Sequence, residues 1–166
     1  MTADFPAAGQ VFDYHYLWKW QADRGETEGR KKRPSCVVIV VTNQAGQHVM
    51  FIAPITSKAP GEGRTALRIP ETEARRANLG IDVPLWVVLD ELNADILESS
   101  YTLEERSPRG SFGAAFTDAI LREVQRLRAP GLPGLQVRAN GSRPPTLSAR
   151  SCALERTPAA PRPPAR

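Results

Sequence analysis

Apolar residues in this chain fall into short runs of strand length that are separated by turn residues. The clearest run, residues 36–41, is β-branched after its first position and predicts a strand buried on both faces. The turn residues 43–46 follow it, and residues 48–55 are predicted to return as the second arm of a hairpin. Further strand signals are a β-rich, aromatic stretch at residues 9–20, a weaker alternating strand at 65–69, and another buried strand at 85–89 that leads into residues 91–97.

Two other segments carry a helical pattern. Residues 71–79 follow a proline and stop at Gly80, and Glu71 and Arg75 lie one turn apart, which favours a short helix. A C-terminal amphipathic helix is marked by apolar residues at helical spacing: Phe116, Ile120, Val124 and Leu127. Several short strands with one closing helix predict a mainly β (α+β) fold, built as a small and strongly bent sheet or barrel.

Composition divides the chain into three parts. We expect residues 1–8 to be a flexible N-terminus, residues 9–128 to form one domain, and residues 129–166 to be a disordered tail rich in proline and arginine. The formal net charge is +4, but residues 130–166 alone carry +5, which leaves −1 for residues 1–129. A nucleic-acid site within the domain would therefore be a local cluster of cations and not a global basic field.

Signals for other compartments and for cofactors are missing from the sequence. It has no leading basic-then-apolar stretch and no apolar run near the ~20 residues of a membrane helix, so we expect a cytoplasmic protein with no membrane partner. Cys36 lies in an apolar run and Cys152 in the tail, which predicts neither a disulfide nor a metal site. No cofactor is expected.

The first stretch with candidate chemistry is the long polar loop 23–34. It places four consecutive cations, residues 30–33, beside the carboxylates Glu26 and Glu28. Because Pro34 fixes the chain at the entry of the next strand, Arg33 is expected to be the best ordered of these cations. A charged loop of this length in a small domain is either functional or merely mobile, and both interpretations stay open.

The second stretch is residues 54–58, where a strand ends in two hydroxyls and a cation. Thr56, Ser57 and Lys58 are all residue types that bind phosphate oxygens. The plainer interpretation is that the two hydroxyls form a turn by bonding nearby backbone groups. In the same plain interpretation, Arg33 and Glu28 form a surface ion pair worth ~0–1 kcal/mol.

The order and spacing of these motifs resemble the MazF/PemK family of toxin–antitoxin toxins, and within it a divergent PemK-like branch. The resemblance covers roughly residues 9–128. Its features are a glycine-initiated aromatic strand, a Gly-x-x-Glu-x-x-x-x-Arg-Pro loop, a β-branched strand and a Pro-Ile-Thr-Ser strand end. In this sequence they are Gly9, Gly25, Glu28, Arg33, Pro34, residues 37–41 and residues 54–57.

This resemblance implies a small SH3-like barrel of the MazF/PemK/CcdB type with a C-terminal helix, usually as a homodimer. It implies metal-independent cleavage of single-stranded RNA and neutralisation by a cognate acidic antitoxin. By position, Arg33 and Thr56 would be catalytic, and Glu28 would orient Arg33 or accept the 2′-OH proton. Substrate-binding roles are expected for Ser57, Lys58, Arg30, Lys32 and Trp18.

One departure bears on catalysis. Many family members carry an Arg-Thr-x-Asp-like segment on the strand corresponding to residues 91–96, whereas this chain has Asn93 near the arginine position. Two alternatives therefore stay open: a catalytically weak module of the same fold that binds RNA, DNA or a protein, and a gyrase-directed toxin, a class that shares the barrel. Trp18 and Trp20 flank the polar loop and are candidates either for base stacking or for packing.

Overall fold

Antiparallel strands make up most of the folded chain. The structure, a computed structural model, describes residues 6–100, 107–128 and 136–139. Its elements in chain order are β1 (Gln10–His15), α1 (Lys19–Ala22), β2 (Lys32–Thr42), β3 (His48–Thr56), β4 (Ala66–Arg68), α2 (Glu71–Arg76), β5 (Trp86–Val88), β6 (Glu91–Ile96), β7 (Gly110–Ser111), α3 (Ala114–Leu127) and β8 (Gln136–Ala139).

The predicted hairpin forms the centre of the sheet. β2 and β3 pair antiparallel from Ser35↔Pro54 to Thr42↔His48. In the turn, the Asn43 side chain accepts hydrogen bonds from two later backbone amides, and Gly46 takes a φ of 78°, which glycine adopts without strain. The hairpin and its turn are therefore confirmed.

The sheet curls because β3 has two successive partners on one side. Its first half pairs with β6 and its last two residues pair with β5, and Pro54 lies where the partner changes. A proline has no N–H to donate, so it suits a point where regular pairing is interrupted. A bulge in β2 between Val37 and Ile39 adds further bend. The result is a curled, half-barrel antiparallel sheet with a few helices, which confirms the mainly β fold class.

Two apolar cores lie against the strands, because successive side chains of a strand point to opposite faces. Cys36, Val38 and Ala53 belong to the larger core, which also takes in the buried residues of α2 and α3. Val37 and Ile52 belong to the smaller one. Aromatic residues of and near β1 supply much of the smaller core: Phe12, Tyr14 and Tyr16.

Both predicted helices are present. The α2 helix carries the Arg75–Glu71 ion pair at 2.6 Å and ends before Asn78, which has a positive φ of 53°. It is therefore shorter than residues 71–79. In α3 the predicted apolar stripe faces the larger core, with Ile120 and Leu127 nearly inaccessible to solvent. Within the described residues, no helix has both the length and the apolar character needed to span a membrane.

Two sequence predictions about strands are corrected by the structure. The strand expected to run to Trp20 ends at His15, and α1 begins at Lys19, because side chains and not a neighbouring strand bind the backbone after Tyr16. The strand at residues 36–41 is buried on both faces only as far as Val38. Beyond the bulge, Ile39 and Val41 are 42% and 39% exposed.

The expected tail also needs a partial correction. Gln136–Ala139 lies within the segment predicted to be disordered, yet it forms β8 and pairs parallel with β6. These four residues contain no proline, and Arg138 forms an ion pair with the buried Glu91 at 2.7 Å, which gives the strand an anchor. Residues 1–5 and the remainder of 129–166 lie outside the described residues.

Candidate active site

The ends of β2 and β3 open onto a cavity of about 390 Å³ that contains Arg33 and Thr56. We call it the Arg33–Thr56 cavity. Its lining residues come from the strand entry of β2, the end of β3, the segment after α2 and the approach to β7. They are Lys32, Arg33, Pro34, Ile55, Thr56, Ser57, Leu79, Gly80, Asp82, Val83, Leu85 and Arg109.

Strand register brings the two principal residues together. The last pair of the central hairpin is Ser35↔Pro54, and continuing that register by two residues sets Arg33 opposite Thr56. Arg33 is also paired with Tyr14 of β1, and Thr56 is paired with Trp86 of β5. Each residue is thus fixed by a second strand on its outer side, and the cavity lies between them.

The Thr56 hydroxyl has a local structural role. It accepts a hydrogen bond from the backbone amide of Lys58 at 3.1 Å, which is the turn geometry that the plainer sequence interpretation anticipated. A hydroxyl that accepts one bond still has its proton to donate. Ser57 lines the same cavity, whereas the side chain of Lys58 is exposed and is not among the lining residues.

The Arg33 guanidinium is held by an aromatic ring. Its central carbon lies 5.7 Å from the centre of the Trp18 ring, within the range of a cation–π interaction. The Trp18 ring packs edge-on against Tyr16, with centroids 5.0 Å apart. Pro34 restricts the backbone and the Trp18 ring contacts the side chain, so Arg33 is restrained at both levels. That it is the best ordered of the four cations stays a prediction.

A second cavity of about 210 Å³ lies on the other side of Arg33. We call it the Trp18–Trp20 cavity. Trp18 therefore lies in this cavity and not in the Arg33–Thr56 cavity, and Arg33 lines both. The complete lining is Tyr16, Trp18, Trp20, Gln21, Arg30, Lys31 and Arg33.

Of the other loop residues predicted for the site, Lys32 lines the Arg33–Thr56 cavity, whereas Arg30 and Glu28 do not. Arg30 makes a two-pronged ion pair with Glu26, at 2.8 and 2.6 Å, and lines only the second cavity. Glu28 is exposed and lines neither cavity. Gly29 is packed so closely on the end of β1 that an added Cβ would lie 2.3 Å from the Tyr16 carbonyl oxygen. The loop is therefore docked at Gly29, a feature that the residue pattern did not indicate.

Sequence reasoning missed a second guanidinium in the Arg33–Thr56 cavity. Arg109 lines it and is oriented by the Asp13 carboxylate at 2.9 Å and by the Asn78 carbonyl at 3.1 Å. No local motif surrounds Arg109, because its position depends on the pairing of β7 with β1. Asp82, also missed, is the one carboxylate among the residues that line the cavity.

Asn93, the departure from the family pattern, is fully buried and has a structural task. Its amide oxygen accepts a bond from the Leu17 amide at 2.8 Å, and its amide nitrogen donates to the Leu17 carbonyl at 2.9 Å. This side chain cannot reach a substrate. It fixes the segment that carries Trp18, and so acts on the cavities only through that segment.

Other reactive groups are unsuited to chemistry at the surface. Cys36 is buried in the larger core, and burial raises the pKa of its thiol to about 12, so it stays protonated near neutral pH. Burial also holds the pKa of Tyr16 well above its usual value, and its hydroxyl donates to the Glu91 carbonyl at 2.7 Å. Across the described ranges, His, Cys, Asp and Glu side chains form no group of three suited to a metal ion.

Comparison with protein-family models and with curated proteins finds no match to this chain. The fold and the two cavities are therefore the observations from which its function is argued. The resemblance to MazF/PemK toxins stays a prediction from the residue pattern.

Proposed function

We propose that this protein is a MazF/PemK-like growth-inhibitor toxin that cleaves single-stranded RNA without a metal. The observation that carries the proposal is the Arg33–Thr56 cavity, in which two guanidiniums, an ammonium and two hydroxyls meet. Cations and hydroxyl donors are the groups that bind phosphate oxygens.

The proposed reaction is transfer of a phosphodiester to the neighbouring ribose hydroxyl. The 2′-oxygen attacks phosphorus as its proton leaves, the bond from phosphorus to the 5′-oxygen breaks, and the leaving 5′-oxygen takes a proton from solvent water. The products are a 2′,3′-cyclic phosphate and a 5′-hydroxyl. Negative charge grows on the phosphoryl oxygens during this step. Arg33, fixed by Trp18, and the Thr56 hydroxyl donate to that charge, and Arg109 adds a second oriented guanidinium.

The proton of the 2′-hydroxyl needs an acceptor, and the structure favours Asp82 over Glu28 for this role. Both carboxylates are exposed, but Asp82 lines the cavity with Arg33 and Thr56, whereas Glu28 lies outside it. Geometry is the first requirement for a general base. We therefore assign proton acceptance to Asp82 and expect Asp82→Asn to slow cleavage more than Glu28→Gln.

The test is incubation of the purified full-length protein with long single-stranded RNA in EDTA. We expect discrete fragments ending in cyclic phosphate, and a loss of about 10²-fold or more in rate for Arg33→Ala and for Thr56→Ala. Thr56→Ser keeps the hydroxyl and should retain most of the activity. The matched control is Arg75→Ala, an exposed arginine of α2 that lines neither cavity. Intact RNA with folded wild-type protein would refute the ribonuclease proposal.

One observation favours the alternative of a binding module. The loop carboxylate Glu28 lies outside the cavity, so one group fewer is placed for proton transfer than the family pattern implies. Filter retention of intact RNA by the wild-type protein, abolished in Arg33→Ala, would support this alternative.

The other parts of the proposal concern partners and location. A cytoplasmic homodimer and a cognate acidic antitoxin belong to the same hypothesis. A groove of about 340 Å³ with three exposed apolar side chains, Ile39, Val41 and Val137, offers a surface for a second copy. A monomer mass in light scattering at micromolar concentration would count against the homodimer.

A further inference from the structure

The Trp18–Trp20 cavity has no task in the phosphate chemistry apart from its contact with Arg33. Trp20 lies on the short helix α1 and is 50% exposed, the second most exposed of the large apolar side chains in the described chain. The Arg24 guanidinium lies over its ring, 5.4 Å from the centre. A large indole left this open in a small domain offers a flat face to a ligand.

The surroundings of this indole are cationic. Arg30, Lys31 and Arg33 line the same cavity, and Glu26 pairs with Arg30. A protein partner that buried an apolar surface would have to desolvate these charges. An unpaired nucleobase suits the site better, because its π-face stacks on an indole while the attached phosphates meet the cations.

The backbone that carries the two indoles is held in place before any ligand arrives. The Leu17 amide donates to Asn93, the Trp18 amide donates to Gln21 at 3.1 Å, and the Lys19 amide donates to the Glu91 carboxylate. Asn93, Gln21 and Glu91 are themselves buried. A platform fixed in this way loses little conformational entropy when a base stacks on it.

We infer that Trp20, with Trp18 beside it, stacks an unpaired base of RNA next to the phosphate held in the Arg33–Thr56 cavity. Arg33 lines both cavities, so the sugar–phosphate link between the two nucleotides passes along its guanidinium. Every base has a π-face, so the platform accepts all four bases and favours the larger purines. The inference rests on the proposed function, which assigns the phosphate in the Arg33–Thr56 cavity to RNA.

The experiment uses full-length protein and a short RNA whose attacking 2′-hydroxyl is replaced by hydrogen, so that binding is measured without cleavage. Trp20→Ala should weaken binding about 5- to 100-fold, and Trp20→Phe, which keeps an aromatic face, should stay within about 3-fold of wild type. Gln44→Ala is the control, because Gln44 is an exposed residue of the hairpin turn that lines neither cavity. Urea unfolding of each variant checks that the fold is intact.

An abasic nucleotide gives the decisive comparison. Removing the base beside the modified nucleotide should weaken binding to the wild-type protein by the same factor as Trp20→Ala, and should cause no further loss in that variant. Equal binding by wild type and Trp20→Ala, or an abasic penalty of full size in both, would overturn the inference.

Cleavage of unmodified RNA by the same proteins separates this inference from the proposed function. If wild type cleaves RNA, and Trp20→Ala changes neither binding nor cleavage, the protein is a ribonuclease and the stacking platform is refuted. Binding that depends on Trp20, with RNA left intact, would support the platform and refute the ribonuclease.

Discussion

Three successive backbone amides, those of Leu17, Trp18 and Lys19, are bound by side chains and not by a strand partner. Two of the acceptors come from β6, more than seventy residues further along the chain. Residues 16–18 belong to no helix or strand, yet these contacts hold their backbone in place. At the scale of single residues, the geometry of both cavities depends on these buried polar contacts.

Asn93→Ala tests this dependence. The substitution leaves the buried N–H and carbonyl of Leu17 without their partners, and we expect the free energy of unfolding to fall by roughly 1–3 kcal/mol. Urea denaturation measures the change. Gln44→Ala, an exposed amide in the hairpin turn, serves as control and should stay within about 0.5 kcal/mol of wild type. An unchanged urea midpoint in Asn93→Ala would show that the two hydrogen bonds between Asn93 and Leu17 contribute nothing to stability.

The residue pattern predicted part of the site and could not have predicted the rest. Pro34 beside Arg33, and a hydroxyl pair at a strand end, are local signals, and both residues line one cavity. Arg109 and Asp82 carry no such signal, because contacts between distant segments bring them there. Asn93 looked like a missing arginine in the sequence, and only its buried contact with Leu17 reveals its structural task.

At the scale of elements, β8 is attached to β6 through one buried carboxylate. Glu91 accepts from Arg138 at 2.7 Å and from Arg64 at 3.1 Å, as well as from the Lys19 amide. Because Arg64 and Lys19 stay in place, loss of Arg138 does not leave the Glu91 charge unpaired. Loss of Glu91 removes the buried carboxylate from two arginines and an amide, and leaves Arg64 with Asp90 at 2.9 Å and Arg138 with the Gln136 side chain at 2.8 Å.

The two substitutions should therefore differ in cost. We expect Glu91→Ala to lower the free energy of unfolding by about 3–5 kcal/mol, and Arg138→Ala by only about 1.5–3 kcal/mol. Chemical denaturation of both variants shows which substitution lowers the free energy of unfolding more. Arg75→Ala removes a surface ion pair of α2 and should cost no more than about 0.5 kcal/mol. The reverse order for Glu91 and Arg138 would contradict the account.

Elements with strong local signals were predicted, and those that depend on partners were not. The β2–β3 hairpin follows from its turn residues, and α3 follows from its apolar period. By contrast, β8 is only four residues long and three of them are exposed. An ion pair joins its Arg138 to the buried carboxylate of Glu91, which lies 47 residues earlier in the chain. Such a strand exists because β6 offers a free edge, which no local pattern can show.

At the scale of the whole molecule, the excess positive charge and the residues that line the two cavities lie in different parts of the sequence. Residues 1–129 carry a net charge of −1, whereas residues 130–166 carry +5. The cavity cations are local, so under the proposed function we expect most of the long-range attraction for RNA to come from the C-terminal arginines. Recognition and attraction would then be distributed between different parts of the chain.

Salt dependence of RNA binding measures this distribution. Replacing the five arginines after β8 by serine should reduce the magnitude of the slope of log K against log salt by up to about 3.5, since each neutralised phosphate of a single strand contributes roughly 0.7. The residues are Arg143, Arg150, Arg156, Arg162 and Arg166. Cleavage positions should stay the same, because the cavities are intact. An unchanged slope would place the phosphate contacts in the domain instead.

The bulge at Val38 has a consequence for how the hairpin can evolve. Val37 faces the smaller core before the bulge and Val40 packs against it afterwards, so one extra residue inverts the inward and outward positions of β2. Deletion of Val38 would restore simple alternation with Val40 still opposite Met50, and its cost would fall on the larger core, which would lose the Val38 side chain. A deletion or insertion beyond the bulge would instead shift the pairing by one residue and turn the outer half of the strand over, so Val38 is the position at which β2 tolerates a change of length.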